Sequence, residues 1–121
     1  MKAIKIITIT ILTTTIMFGI LKNLFSQGNS QNLATLINDG AFLVDVRTHA
    51  EFAEGSVKGS VNIPLDKVQN QLAKFKNKEH IIVFCRSGNR SSQAKNILEQ
   101  NGFTNVTNGG TWQNVNQLVK N

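Results

Sequence analysis

The chain has 121 residues and a formal net charge of +6, and Lys2, Lys5 and Lys22 near its N-terminus contribute half of that charge. This length provides one domain with one hydrophobic core. One cysteine and two histidines exclude an intramolecular disulfide and a structural zinc site. The sequence has no basic stripe with interleaved aromatic residues, so we expect no nucleic-acid partner.

The N-terminal segment has the pattern of an export signal. Two lysines precede an apolar, Thr-rich run over 6–21, which is apolar on every face and therefore unlike a helix of a globular core. We expect a signal peptide or membrane anchor over 1–25, a linker over 26–31 and a domain over 32–121. The positive start predicts a cell-envelope protein, either exported to the periplasm or anchored in the inner membrane with its domain outside the cytoplasm. Cleavage of the signal is left open.

After the linker, the apolar pattern alternates between strand and helix. Short apolar runs predict strands over 41–46, 61–63, 81–84 and 103–107. Apolar residues at helical spacing predict helices over 30–38, 48–53, 65–75, 91–101 and 112–119. A turn is expected at Gly109 and Gly110. This alternation predicts an α/β fold with three layers, in which helices cover both faces of a central parallel sheet. Ligands of such sheets bind at the carboxyl ends of the strands, where Asp45, Arg47 and Cys85 fall.

The only cysteine directly follows the strand predicted over 81–84 and precedes a short loop and a helix. This arrangement favours a thiolate at Cys85, because loop N–H groups and the positive end of the helix face the sulfur. An inert, buried thiol is the alternative. Arg86 and Arg90 argue against it, because they are costly neighbours for a core thiol and suit a thiolate or an anionic substrate.

The loop after the cysteine contains residues typical of a tight turn into a helix. Gly88 supplies the positive φ that such a turn needs. Ser91 or Ser92 is expected to cap the helix after the loop. The main chain is therefore expected to curl around the sulfur.

Four segments resemble, in the same order, the signatures of rhodanese-like (sulfurtransferase) domains. They are 42–52, 55–64, 84–91, and 102–103 with 109–110. The resemblance covers about 33–119, most of the chain after the predicted signal. With that signal, the chain is most similar to small periplasmic thiosulfate sulfurtransferases of the phage-shock type. Ser56 stands where the family usually has a histidine, which is not the family's nucleophile.

The resemblance implies a thiosulfate sulfurtransferase. Its Cys85 thiolate would take the outer sulfur of thiosulfate, release sulfite, and pass the persulfide sulfur to cyanide or a thiol without any cofactor. The resemblance also implies an active-site loop whose N–H groups stabilise the sulfur; its members are Arg86, Ser87, Gly88, Asn89 and Arg90. Both arginines would attract the anion, unless one of them is tied to a carboxylate.

Asp45 and Arg47 are expected to support the site rather than to react. Arg47 is expected to pair locally, with Glu51 as a candidate partner. Asp45 is expected to hold the active-site loop, either through loop N–H groups or through Arg86. Thiolate chemistry needs no general base, so both histidines are expected at the surface.

Two alternatives stay open beside this activity. The active-site loop can also be compared with that of rhodanese-related phosphatases and arsenate reductases, in which five residues separate the cysteine from an arginine. Here four residues separate Cys85 from Arg90, and Ser91 occupies the position of that arginine. The tighter loop favours a persulfide over a phosphate. The other alternative is a noncatalytic or carrier module that delivers sulfur to an envelope partner or binds one. The retained Cys85 counts against an inactivated copy but not against a carrier.

Overall fold

The computed structural model describes residues 29–120, and the signal or anchor predicted over 1–25 lies outside them. The helices are α1 (Asn29–Asn38), α2 (His49–Glu54), α3 (Leu65–Val68), a 3₁₀ helix (Gln69–Phe75), α4 (Asn89–Gln100) and α5 (Trp112–Lys120). The strands are β1 (Phe42–Asp45), β2 (Val61–Asn62), β3 (Ile81–Cys85) and β4 (Val106–Thr111). Among residues 29–120, no helix combines the length and the apolar composition needed to cross a membrane.

The four strands form one parallel sheet in the order β2-β1-β3-β4, which confirms the predicted α/β fold. Successive residues of β3 face opposite sides of the sheet. Cys85 faces the side that packs on Leu98 of α4, whereas Ile82 faces Leu33 of α1 and Val115 of α5. Helices therefore cover both faces. Because all five residues of β3 are fully buried, the strand holds its last residue in a fixed place at the carboxyl edge of the sheet.

The helix predicted over 65–75 is instead a short α3 followed by a 3₁₀ helix. Gln71 departs from helical geometry, with φ −126° and ψ 32°. Val68 and Phe75 nevertheless remain buried, because apolar residues three positions apart fall on one face in both kinds of helix. The spacing therefore predicted the buried face correctly. It predicted the α-helix correctly only for the first turn, over Leu65–Val68.

The last strand lies further along the chain than predicted. Residues 103–107 were expected to form it, but β4 contains Gly109 and Gly110, which are not a turn. The pairing of β3 with β4 shifts by one residue between Asn108 and Gly110, so Gly109 is the extra residue of a β-bulge. In a strand, such a glycine marks a close approach of neighbouring groups.

A Gly109→Ala substitution is expected to lower the free energy of unfolding by about 1–3 kcal/mol, the usual cost of overpacking a core. A Cβ atom at Gly109 would lie 2.8 Å from Cγ2 of Val115 and 2.9 Å from Cγ2 of Ile82, and both side chains are fully buried. Urea denaturation measures the loss, and Thr107→Ala, at a half-buried position of the same strand, is the control that should lose less. A Gly109→Ala protein as stable as the original would contradict this packing.

Candidate active site

The Cys85 sulfur lies in a cradle of main-chain N–H groups. Gly88, with φ 94°, turns the chain after β3 and forms the N-cap of α4. The Gly88 N–H donates to Sγ at 3.0 Å, and the Ser91 N–H donates to it at 3.4 Å. Because Ser91 lies in the first turn of α4, the sulfur satisfies an N–H group that has no partner within the helix. The main chain thus curls around the sulfur as the sequence predicted.

Opposing effects set the pKa of the Cys85 thiol. The side chain is fully buried, and burial raises the pKa because the thiolate loses its water. Hydrogen bonding with the hydroxyl and N–H of Ser91, and with the N–H groups of Ser87 and Gly88, outweighs burial, so the pKa lies below that of an ordinary cysteine. The sulfur is therefore enclosed, but polar donors rather than aliphatic groups alone surround it.

The other predicted loop residues lie at the surface or are engaged elsewhere. Arg86, Ser87 and Asn89 are exposed while Cys85 is buried, so the loop side chains separate the sulfur from the solvent. Arg86 borders a cleft of about 400 Å³. The other residues that line this cleft are Arg47, Glu51, Glu54, Gly55, Trp112 and Gln113.

Arg90 is the arginine that is tied to a carboxylate. Its two terminal nitrogens donate to the two carboxylate oxygens of Glu51 at 2.7 and 2.9 Å. This pairing, strengthened by Thr48, lowers the pKa of Glu51 to about 2, although burial opposes the shift. The prediction that Glu51 pairs with Arg47 is wrong. Arg90 therefore links α4 to α2 and leaves Arg86 as the exposed cation of the loop.

A Glu51→Gln substitution is expected to make the free energy of unfolding less dependent on pH. Glutamine still accepts the Thr48 N–H in the capping box but loses the charge that faces Arg90. Because the pKa of Glu51 falls from 4.5 to about 2 on folding, its charge stabilises the fold above pH 4.5, and this contribution is lost as the pH falls towards 2.

Urea denaturation of both proteins at neutral pH and near pH 2 measures this effect. The original protein should be more stable by up to about 1 kcal/mol at neutral pH, since the pair is partly exposed, and the difference should vanish near pH 2. A difference of equal size at both pH values would rule out the ion pair as its source.

Asp45 and Arg47 pair with each other, not with the active-site loop. Arg47 donates to both carboxylate oxygens of Asp45, with a shortest distance of 2.7 Å, and the pair is almost completely buried. Arg47 also donates to the Gly55 carbonyl at 2.7 Å, and its guanidinium lies 5.0 Å from the ring centroid of Trp112. Ser56 donates to Asp45 at 2.7 Å. The expectation that Asp45 holds the Cys85 loop or Arg86 is wrong; the pair instead supports the wall of the cleft.

Ser91 does not cap α4 as predicted. The N-cap is Gly88, and Ser91 is buried in the first turn, with its Oγ 3.4 Å from Cys85 Sγ. The Ser91 hydroxyl donates to Oδ1 of Asn108 at 2.7 Å. Sequence reasoning missed both contacts. The spacing of Ser91 from Cys85 could have indicated the first, but nothing local in the sequence indicates that Asn108 of β4 reaches the site.

The two histidines lie away from the sulfur. His49 is exposed at the start of α2, and His80 directly precedes β3, at the strand end opposite Cys85. In the part of the chain that the structure describes, no cluster of three or more His, Cys, Asp or Glu side chains is arranged to hold a metal ion.

A family model and several known proteins match this chain. The family model of the rhodanese-like domain matches residues 29–111. A sulfurtransferase of Allochromatium vinosum is 34% identical over 83 residues, which cover 69% of this chain and 76% of that protein. The thiosulfate sulfurtransferase PspE of Escherichia coli is 36% identical over 75 residues, which cover 60% of this chain and 71% of that protein.

Solved structures give the same result. A rhodanese of Escherichia coli, determined with anions, superimposes with a TM-score of 0.58 at 32% identity and covers 62% of this chain and 91% of its own. The human single-domain sulfurtransferase TSTD1 superimposes with a TM-score of 0.60 at 29% identity and covers 75% of this chain and 93% of its own.

Proposed function

This chain belongs to the rhodanese-like domain family, and we propose that, as a sulfurtransferase of that family, it takes the outer sulfur of thiosulfate and passes it through a Cys85 persulfide to cyanide or a small thiol. The decisive observation is the cradle around Sγ, which accepts N–H hydrogen bonds from Gly88 and Ser91. Donors fixed in this way stabilise an anionic sulfur, and both a thiolate and a persulfide are anionic. Relatives named sulfurtransferase and thiosulfate sulfurtransferase support the class of reaction.

In the first half-reaction, the Cys85 thiolate attacks the outer sulfur of thiosulfate. The new bond joins Sγ to this sulfur, the sulfur–sulfur bond of thiosulfate breaks, and sulfite leaves with the bonding electron pair. The enzyme then carries one sulfur as a persulfide anion. Cys85 loses its proton before this step, so the attack itself transfers none and needs no general base. His80 lies at the opposite end of β3.

In the second half-reaction, the acceptor attacks the terminal sulfur of the persulfide. Cyanide leaves as thiocyanate, or a thiolate leaves as a persulfide, and the electron pair of the broken bond returns to Cys85 as its thiolate. The N–H groups of Gly88 and Ser91 are already in place to stabilise this leaving anion. The same cradle therefore serves both half-reactions.

Arg86 is the side chain best suited to attract the donor anion. It is exposed beside the buried sulfur, whereas the charges of Arg90 and Arg47 are neutralised by Glu51 and Asp45. A cation at the mouth of a site raises the local concentration of a small anion. The related rhodanese of Escherichia coli was itself determined with anions.

A sulfur carrier is the second candidate. The putative sulfur carrier protein YrkF of Bacillus subtilis is 32% identical over 66 residues, which cover 36% of that protein. A carrier would use the same Cys85 persulfide but would pass its sulfur to a protein partner rather than to cyanide or a small thiol.

Mass spectrometry of the intact protein tests the proposal. Treatment with thiosulfate should add one sulfur atom, and cyanide should remove it with release of thiocyanate, whereas Cys85→Ser should gain no mass. Sulfur that is gained but not released to cyanide or a small thiol would favour the carrier. No gain of sulfur would contradict both candidates, and hydrolysis of p-nitrophenyl phosphate that depends on Cys85 would replace them with phosphatase chemistry.

We also propose that the domain lies outside the cytoplasm, in the periplasm or anchored to the inner membrane. Support comes from the lysines and the apolar run within residues 1–25. Cell fractionation tests this proposal, and full-length chain recovered from the soluble cytoplasm would contradict it.

A further inference from the structure

The side-chain amide of Asn108 has only one orientation compatible with its surroundings. The Gly110 N–H donates to Oδ1 at 2.9 Å, and Nδ2 donates to the Gly88 carbonyl at 3.1 Å. Both partners are main-chain groups of fixed polarity, so exchanging the amide oxygen and nitrogen would turn both bonds into repulsive contacts. The atom that faces Ser91 at 2.7 Å is therefore an oxygen.

This orientation decides where the Ser91 proton points. A hydroxyl has one proton, and Oδ1 of Asn108 can only accept, so Ser91 donates to Asn108. Ser91 Oγ also lies 3.4 Å from Cys85 Sγ. While the proton points to Asn108, this second contact is favourable only when the sulfur carries a proton and donates it to Ser91. The relay then runs from the thiol to Ser91 and on to Asn108.

We propose that Asn108 is a positioning residue that withholds the Ser91 proton from the sulfur and so favours the protonated thiol at rest. The Ser91 hydroxyl stabilises the thiolate only when it turns towards Sγ, which leaves Asn108 with the Gly110 N–H alone. The N–H groups of Gly88 and Ser91 favour the thiolate, and Asn108 acts against them. Its part in sulfur transfer rests on the proposed function, whereas its effect on the thiol does not.

This opposition has a chemical benefit. A thiolate whose pKa is lower is also a weaker nucleophile, so maximal ionisation does not give the most reactive sulfur. The charged groups around Cys85 are Arg86 on the loop, Arg90 with Glu51, and the pair formed by Asp45 and Arg47. The hydrogen bonds of the Asn108 side chain go instead to Ser91, Gly88 and Gly110, so substitutions of Asn108 and Ser91 leave all of these charges in place.

The test is the pH dependence of alkylation by iodoacetamide, which reports on Cys85 because the chain has one cysteine. Asn108→Leu should move the inflection to lower pH and raise the thiolate fraction below it about tenfold, the effect of one hydrogen bond to a charged group. The rate at the alkaline plateau should fall about threefold, since nucleophilicity declines with basicity. An inflection that stays in place or moves to higher pH would overturn the proposal.

Ser91→Ala separates the relay from a general structural effect. In the original protein it should move the inflection to higher pH by less than it does in the Asn108→Leu background, because the Ser91 hydroxyl must leave Asn108 before it can donate to the sulfur. Combined with Asn108→Leu, it should reverse the shift that Asn108→Leu causes, because the freed hydroxyl is then the donor that is lost. A shift to higher pH of equal size in both backgrounds would show that Ser91 donates to the sulfur even beside Asn108, and would overturn the proposal.

Two further variants protect the test against loss of folding. Asn108→Asp keeps the acceptor for Ser91 and Gly110 but places a second oxygen and a charge beside the Gly88 carbonyl, so it is compared only with its own Ser91→Ala double variant. The inflection should differ little between these two proteins, and a large difference would count against the relay. Asn105→Leu is the matched control, because it removes two side-chain bonds to the carbonyls of Lys78 and Glu79 away from the sulfur. It should lower stability and leave the alkylation profile unchanged. Failure of thiosulfate to load sulfur would refute the proposed function without altering any of these profiles.

Discussion

A Cys85→Ser protein is expected to lose turnover with thiosulfate and cyanide by at least about 10⁴-fold, the scale seen when a catalytic nucleophile is removed. A serine hydroxyl fits the cradle and accepts the N–H groups of Gly88 and Ser91, but it is barely ionised at neutral pH and forms no persulfide. Formation of thiocyanate measures the loss. Turnover that persists in this variant would place the chemistry elsewhere in the molecule.

Two controls separate chemistry from folding. Ser92→Ala, at an exposed position of α4, should leave turnover unchanged. Cys85→Ala removes the acceptor for the first turn of α4 and should be less stable than Cys85→Ser by about 1 kcal/mol, the usual value of a helix cap. Equal stability of the alanine and serine variants would show that the acceptor at this position does not stabilise the helix.

An Asp45→Ala substitution is expected to lower the free energy of unfolding by about 3–5 kcal/mol, the cost of leaving a buried charge without its partner. Arg47 is almost completely buried. The Asp45 carboxylate accepts hydrogen bonds from the guanidinium and the main-chain N–H of Arg47 and from the hydroxyl of Ser56. Urea denaturation measures the loss. The wall of the cleft, which Arg47 fixes through Gly55 and Trp112, should loosen with it.

Asp66→Ala is the control for Asp45→Ala, because Asp66 is exposed in the first turn of α3 and should matter by no more than about 1 kcal/mol. The loss of about 3–5 kcal/mol expected for Asp45→Ala is large against the stability of a small domain, about 5–15 kcal/mol, so Asp45→Ala alone risks unfolding. Replacing both partners, with Asp45→Leu and Arg47→Met, should recover much of the loss. A double variant as unstable as Asp45→Ala would show that the unpaired charge is not the cause.

Much of the fold could be predicted from local patterns. The run over 81–84 is continuously apolar, and this is the pattern of a strand buried on both faces, as β3 is. β4 was misplaced because its two adjacent glycines look like a turn, whereas Gly109 is a bulge that fits under Val115. Whether a glycine turns the chain or admits a neighbour depends on what packs against it, and a local pattern does not contain that information.

The same division applies to the site. The position of Cys85 follows from the strand before it and the loop after it, so its surroundings could be anticipated. The partner of Arg47 could not, since Asp45 and Glu51 are both within reach in sequence and only the fold buries one and places the other beside Arg90. Asn108 comes from another strand, and the register of β4 brings it to Ser91, which lies beside the sulfur.

The sulfur atom to which the proposed reaction is assigned also stabilises the fold, since it accepts hydrogen bonds from the N–H groups at the start of α4. The stability of this part of the fold and the proposed sulfur transfer therefore depend on the same atom. Overoxidation of that sulfur ends the chemistry and enlarges the group inside a closely fitted cradle at once. A protein with an overoxidised Cys85 is therefore expected to unfold locally more often than the unoxidised protein. More frequent local unfolding makes it the better substrate for cellular proteases.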